Sequence, residues 1–592
     1  TKAKLSKSLV LNRWVLSQFG VDALESLADA EFKRSVFEGY DSDNNTHFHQ
    51  YLISRQFTFP GVTKSQLIAW DQHIVSHTMA ISEKRDGMLK WKYFQYLTLL
   101  FTELYLERYF SDKAGLLKEL NEYIENWNDP FNNEVRNGSG FFCEPYTENE
   151  LNKIAFWSAT GSGKTLLMHV NILQYRHYLK LKGDKNTLNK IILVTPKEGL
   201  SLQHLSELNL SGIDAEIFSK QSGSLFSGKK VEIIEVTKLK LESGDKSVAI
   251  ESFETNNLVL VDEGHTGLSG DEFKSNRDYL SENGFAFEYS ATFGQAVSAA
   301  SGKVRESLTQ EYSKSILMDY SYKYFYQDGY GKDYNILNVP ENRLDEFTRK
   351  YLTGALLAYY QQHRIFNDNT LWVNTFNLHM PLWVFVGGSV NAVRKVEGVD
   401  TSDVLQIISF FAEFIQDPLI SKQHIAELLN GTDGIVDKNN LSVFTGRFNY
   451  LKKGNTNPNE LYNDILKVVF HAETAGSTIY VDQLKGQDGE LGIRVGDRYF
   501  GVINVGDEAK LFKLCQDNKI SGESKEFTTS LFQTINNKDS KINLLIGSKK
   551  FTEGWSSWRV STMGLMNIGR SEGSQIIQLF GRGVRLKGFQ MS

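Results

Sequence analysis

The ten residues from Phe156 to Thr165, Phe-Trp-Ser-Ala-Thr-Gly-Ser-Gly-Lys-Thr, constrain this chain more than any other stretch. The apolar run Ile154-Ala155-Phe156 leads into them, and Leu166-Leu167-Met168-His169-Val170 follows. The pattern reads as strand, glycine turn, helix. Such a turn lets backbone N–H groups converge on phosphate oxygens, and the helix N-terminus adds the positive end of its dipole. Thr160, Gly161, Ser162 and Gly163 would form the cradle. Lys164 would reach the β- and γ-phosphates of ATP, and Thr165 would hold Mg2+. The strict pattern wants glycine at 158, where this chain has serine. The alternative is a glycine turn that binds nothing, a weak fit to Gly-Ser-Gly-Lys-Thr at a strand-to-helix junction.

A chain of 592 residues is too long for one core and implies roughly two to four domains. A hydrophobic share of 41% with 23% charged residues fits a globular protein. No run of 18 apolar residues occurs, so no membrane span is expected. Two cysteines, Cys143 and Cys515, give neither a C-x-x-C pair nor a zinc spacing, which points to reduced thiols and a cytoplasmic protein. The net charge of −6 excludes a general basic coat, so contact with a phosphate backbone must come from local patches. The chain begins at Thr1 rather than Met, and residues before it are expected.

Residues 1–88 read as a helical accessory region, with apolar residues at helical spacing around Leu9–Leu16 and Leu67–Ile74. His73 and His77 lie four apart, but Ile74 stands where a metalloprotease motif has Glu, which favours a structural pair over a metal site. A long amphipathic helix is expected from Leu89 to Phe110, with a turn-rich insertion over about 112–150. Beyond the glycine turn, strands and helices alternate. Ile191–Val194 runs into Thr195-Pro196-Lys197, Val231–Val236 into Thr237-Lys238, Leu258–Val261 into Asp262-Glu263-Gly264-His265, and Phe285–Tyr289 into Ser290-Ala291-Thr292. Such units build a parallel doubly wound sheet with ligands at the strand C-terminal ends. Each polar motif falls at such an end. Asp262 would hold Mg2+ through water, and Glu263 would polarise the water that attacks the γ-phosphate.

In this order the stretches Ala159–Thr165, Thr195–Lys197, Thr237–Lys238, Asp262–His265 and Ser290–Thr292 resemble motifs I, Ia, Ib, II and III of superfamily 2 helicases of the DEAD/DEAH-box kind. The run Tyr289-Ser290-Ala291-Thr292-Phe293-Gly294-Gln295-Ala296 is similar to the Res type. That family holds the helicase subunits of type III restriction enzymes and related bacterial helicases found with antiphage defence genes. The resemblance implies an α/β fold of two RecA-like parallel-sheet lobes. Lobe 1 would span 89–296, and a linker and helix 297–375. Lobe 2 would span 376–592, with a helical insertion over about 395–476. It implies adenine reading by Gln95, against the alternative of a core helix with one polar residue. It also implies coupling of the ATP site to Ser290–Thr292 through His265. Thr195, Lys197, Thr237 and Lys238 would meet a nucleic-acid backbone.

In the second half, Leu382–Gly388 resembles motif IV with Gly387 at its end, and Ile542–Ser548 with Phe551–Trp555 resembles motif V. Ser548 stands where the backbone-contacting Thr often lies, Gly554 falls in the nucleotide-facing turn, and Ser556 replaces an Asp that usually meets the ribose. Gln578 to Arg585 matches Q-x-x-G-R-x-x-R in full. Arg582 and Arg585 are arginine-finger candidates, since a forked, permanently charged guanidinium stabilises a transferring phosphoryl group. The sequence ends seven residues after Arg585, where Res subunits carry a nuclease, so further chain is expected. Asp482, Asp488 and Glu490 do not form a nuclease motif, because Leu491-Gly492 follows Glu490. Tyr320, Tyr322, Tyr324 and Tyr326 alternate as on one face of a strand, either as a base-stacking surface or as packing between lobes. The reading is an ATP-hydrolysing DNA helicase or translocase of a defence or restriction complex, with a nuclease or methyltransferase as partner and no membrane. An RNA helicase and an ATP-gated scaffold that recruits an effector stay open.

Overall fold

The structure is a computed structural model. It describes residues 4–132, 140–181, 188–196, 198–218, 230–240, 248–249, 253–263, 271–332, 344–387, 394–396, 399–436, 440–453, 457–487, 489–526, 529–548, 555 and 557–566. Lys197, Gly264, His265, Asp488, Gly554, Ser556, Gln578, Arg582 and Arg585 lie outside the described residues. The chain divides into two compact units, Thr1–Gln327 and Asp328–Ser592.

In the first unit, strands β1 (Lys153–Ser158), β2 (Ile191–Thr195), β3 (Ala215–Ile217), β4 (Val231–Glu235), β5 (Leu258–Asp262), β6 (Phe285–Ser290) and β7 (Ile316–Tyr320) form one sheet. Their order is β3-β4-β2-β5-β6-β1-β7, and every pairing is parallel. Strands β1, β2, β5 and β6 are near-continuous apolar runs because helices cover both faces of a parallel sheet. Helix α1 (Val10–Gln18) lies against β7, where the Asn12 amide donates to the Leu317 carbonyl at 2.9 Å. Leu5 and Leu9 share a core with Trp157, Phe293 and Tyr312. The helical region expected as an accessory therefore shares the core of this unit. Helices α2 (Lys64–Ser82), α3 (Tyr93–Ser111) and α4 (Lys113–Asn128) continue it.

The segment expected to link two halves begins inside the first unit, because α5 (Gly302–Ser315) precedes β7, the strand beside β1. The strand expected over the four tyrosines stops at Tyr320, and Tyr322–Gln327 is a helix. Alternation alone misled here. Asp319 accepts from the Ser321 N–H at 2.9 Å and turns the chain out of the sheet. Tyr320 is buried, its ring stacked 3.7 Å from Phe94.

In the second unit, β8 (Leu382–Gly387), β9 (Ile479–Leu484), β10 (Glu490–Val495), β11 (Arg498–Asn504), β12 (Ser524–Lys525), β13 (Leu544–Ser548) and β14 (Val560–Met566) pair in the order β12-β9-β10-β11-β13-β8-β14. The β11-β13-β8-β14 part is parallel, whereas β9-β10-β11 is an antiparallel meander. The helices of the insertion, Asp403–Gln416, Pro418–Asn430 and Pro458–Val469, bury their apolar faces on Leu344–Asp368 and the meander in one large core. Among the described residues, no single helix is long and apolar enough to cross a membrane.

Candidate nucleotide site

Helix α6 (Lys164–Leu181) starts where the glycine turn ends. Gly161 and Gly163 take φ of 90° and 89°, a region open to glycine but strained for other residues. A Cβ on Gly163 would come within 2.4 Å of Gln95 Nε2, so the side chain of α3 needs a glycine there as well. Gln95 Nε2 donates to the Ser162 carbonyl at 2.8 Å, and its Oε1 accepts from the Lys92 N–H at 2.9 Å. Both ends of the amide thus bind protein, and Gln95 braces the turn. The Ala159 N–H donates to the Tyr320 carbonyl at 2.8 Å, which anchors the turn to β7. Ser162 Oγ is buried with no partner among the described residues, beside backbone groups suited to an anion.

Strand β5 brings the paired carboxylates to the turn. Lys164 Nζ donates to Glu263 Oε1 at 3.0 Å, with both side chains mostly buried. Glu263 has φ 57°, a left-handed conformation that costs a non-glycine residue about 1–2 kcal/mol. Strain of this kind gathers at functional sites. Asp262 Oδ1 accepts from the Glu263 N–H at 3.0 Å, and Oδ2 lies 2.8 Å from His204 Nε2. Burial pushes the Asp262 carboxyl up, but the His204 contact, the Lys164 charge and the Glu263 N–H outweigh it and hold the group below its usual range. Asp262 is therefore an anion at neutral pH. Asp262 and Thr165 present only oxygen donors, which suits a hard cation such as Mg2+. Among the described residues no set of three His, Cys, Asp or Glu is arranged to hold a metal. A cation here would rest on few protein ligands, with phosphate oxygens and water completing its shell.

The remaining motifs of the first unit lie along the same sheet edge. Ser290 and Thr292 are fully buried, and the Ser290 hydroxyl accepts from the Thr292 N–H at 3.0 Å. Trp157 Nε1 donates to the Ala291 carbonyl at 3.1 Å, and a Cβ on Gly294 would strike its ring. Thr195 is buried and its hydroxyl sits 2.6 Å from Ser201 Oγ, so any outside contact falls to its backbone. Thr237 is exposed in a 3-10 turn, where Lys238 pairs with Glu235. In the second unit, Gly387 and Ser548 stand opposite each other at the C-terminal ends of β8 and β13. Motifs 161 residues apart in sequence thus become register neighbours.

Other candidates resolve into structural roles. His73 Nδ1 lies 3.0 Å from Glu103, whose carboxylate also accepts from Gln174 and Tyr178. Asp482 is buried on Arg494, Tyr499 and Lys525. Glu490 accepts from Ser530 and the Leu531 N–H, far from any nuclease arrangement. Sequence reasoning missed His204 and Trp157. Neither belongs to a polar motif, and only tertiary contact reveals them.

Residues 116–295 match the family model for the res subunit of type III restriction enzymes. The matched stretch holds the glycine turn, Asp262, Glu263 and Ser290–Thr292, and it supports an ATP-hydrolysing helicase of the Res type. No curated protein sequence matches it. Among solved structures it is similar to S. cerevisiae Dbp5 bound to RNA and ADP BeF3, at 10% identity over 73% of this chain and 75% of that chain, with a TM-score of 0.29. The Pyrococcus furiosus Hef helicase domain gives 12% identity over 74% and 91%, with a TM-score of 0.30. The DUF1998 helicase MrfA bound to DNA gives 14% over 86% and 46%, with a TM-score of 0.33.

Proposed function

We propose that this chain is an ATP-driven DNA helicase or translocase, the cytoplasmic motor subunit of a bacterial restriction or antiphage defence complex. The observation that carries the ATP site is the convergence of Lys164, Asp262 and Glu263 at one end of the first sheet, beside a glycine turn braced by Gln95. The match of residues 116–295 to the res-subunit model supports the DNA and defence parts.

In this reading Thr160–Thr165 cradle the phosphates, and Lys164 leaves Glu263 for the β- and γ-oxygens. Glu263, once released, orients the attacking water. Thr165 and Asp262 would hold Mg2+, which supplies charge to the phosphate oxygens. Gln578, Arg582 and Arg585 would come from the second unit to complete hydrolysis, and Gly554 would face the nucleotide. Thr195, Lys197, Thr237, Lys238, Gly387 and Ser548 would line the path of a nucleic-acid backbone, largely without sequence preference. His265, Ser290 and Thr292 would link that path to the ATP site. A nuclease or methyltransferase partner would add the covalent chemistry.

The test is steady-state ATPase without nucleic acid and with duplex DNA, single-stranded DNA or RNA, beside Lys164→Ala. Stimulation by DNA that the variant abolishes is the expected result. Preferential stimulation by RNA would replace DNA with RNA, and turnover indifferent to every polymer would favour an ATP-gated scaffold.

A further inference from the structure

Helix α7 (Glu198–Leu210) starts three residues after Thr195, and two of its side chains reach back to the ends of the strands beside it. Ser201 meets Thr195, and His204 meets Asp262. The two are three apart and share one helix face. His204 is 2% exposed, and its second ring nitrogen, Nδ1, is buried with no partner among the described residues. A carboxylate only accepts, so the ring donates its Nε2–H. The Asp262 carboxylate therefore has one fixed donor on each oxygen, the Glu263 N–H on Oδ1 and the imidazole on Oδ2. The terminal torsion of an Asp side chain is otherwise broad, and two opposed donors lock it. Among the described residues no second donor meets either oxygen, which leaves a lone pair on each for a cation or its water.

We propose that His204 is a positioning residue for Asp262: its Nε2–H fixes the carboxylate plane that receives the magnesium–nucleotide complex, and helix α7 ties that plane to the Thr195 loop. This rests on the reading of Asp262 as the magnesium-facing carboxylate. The inference concerns orientation alone. Loss of the donor leaves the glycine turn and Lys164 in place, so nucleotide affinity without metal survives, while the extra affinity that magnesium confers falls. Removing a hydrogen-bond partner from a metal ligand commonly costs about 10–100-fold in metal affinity.

The experiment measures binding of a fluorescent ADP analogue to the full chain, with saturating Mg2+ and with EDTA. His204→Gln places an amide nitrogen near the position of Nε2, whereas His204→Asn stops short of it, and His204→Leu removes the donor. Wild type and His204→Gln are expected to show the same gain from Mg2+. His204→Asn and His204→Leu are expected to lose about tenfold or more of that gain, with affinity in EDTA within about twofold of wild type. Should Leu fail to fold, the Gln and Asn pair carries the comparison between two polar amides. Equal gains in Gln and Asn, or losses of the same size with and without metal, overturn the assignment. A wild-type chain that gains nothing from Mg2+ overturns the reading of Asp262 itself, and this assignment with it.

Discussion

Glu263 holds the ammonium of Lys164 at 3.0 Å from a backbone conformation, φ 57°, that glutamate rarely adopts. The carboxylate thus occupies the lysine that a phosphate would claim, and a nucleotide has to replace one anionic partner with another. Glu263→Gln is expected to retain nucleotide binding and lose hydrolysis by about 100- to 10,000-fold, the usual span for removing a positioned proton acceptor. Nucleotide affinity and single-turnover hydrolysis, measured side by side, check this. A variant that hydrolyses at the wild-type rate would remove Glu263 from the chemistry.

Gln95 braces the glycine turn through the Ser162 carbonyl. Gln95→Ala is expected to weaken ADP affinity by about 3- to 10-fold, matching about 0.5–1.5 kcal/mol for one hydrogen bond. Gly163→Ala should do more, because it meets both a positive φ and the Gln95 amide. If guanine and adenine nucleotides lose affinity equally in Gln95→Ala, bracing accounts for the residue, and a loss confined to adenine would show base reading.

Trp157 joins the strand before the turn to Ala291, in the loop between Ser290 and Thr292. Trp157→Phe keeps a ring in the pocket and removes one hydrogen bond, so stability should fall by about 1 kcal/mol. The expected effect is on coupling: basal ATPase stays, and stimulation by nucleic acid falls several-fold. Unchanged stimulation would confine Trp157 to packing with Leu5 and Phe293.

Burial lowers the His77 and His363 rings from their usual 6.5 to about 4. Between those values the unfolded chain binds protons that the folded chain does not. Stability from these groups is therefore complete above about pH 6.5 and is lost as pH falls toward about 4. Urea midpoints taken across that range should drop on acidification, and His77→Gln should flatten the change in the first unit. Midpoints that do not move with pH would contradict the burial of both rings.

Arg559 is buried, and its guanidinium donates to the carbonyls of Met380, Ile535 and Ile542. Burial also lowers its pKa. Arg559→Met leaves three inward carbonyls unpaired and is expected to destabilise the second unit by about 3 kcal/mol or more, at about 1–3 kcal/mol for each unsatisfied group. Hydrogen exchange of the amides of β8 and β13, followed through chemical denaturation, reads the stability of that unit.

The phosphate turn, the paired carboxylates and the succession of buried parallel strands in the first half were legible in the sequence. Each is local: a short apolar run fits a buried parallel strand, and the polar residues that follow it fall at its C-terminal end. Tyr320–Tyr326 shows where local pattern fails, since period-two spacing also fits a strand end followed by a turn of helix. Tertiary structure alone decided that Leu5 and Leu9 share a core with Trp157, that β9–β11 form an antiparallel meander, and that Gly387 faces Ser548. It alone brought His204 to Asp262 and turned the Gln95 amide, expected at the adenine, onto the Ser162 carbonyl. Sequence spacing encodes what one element buries, whereas the partner of a side chain across 58 or 67 residues depends on how the elements pack.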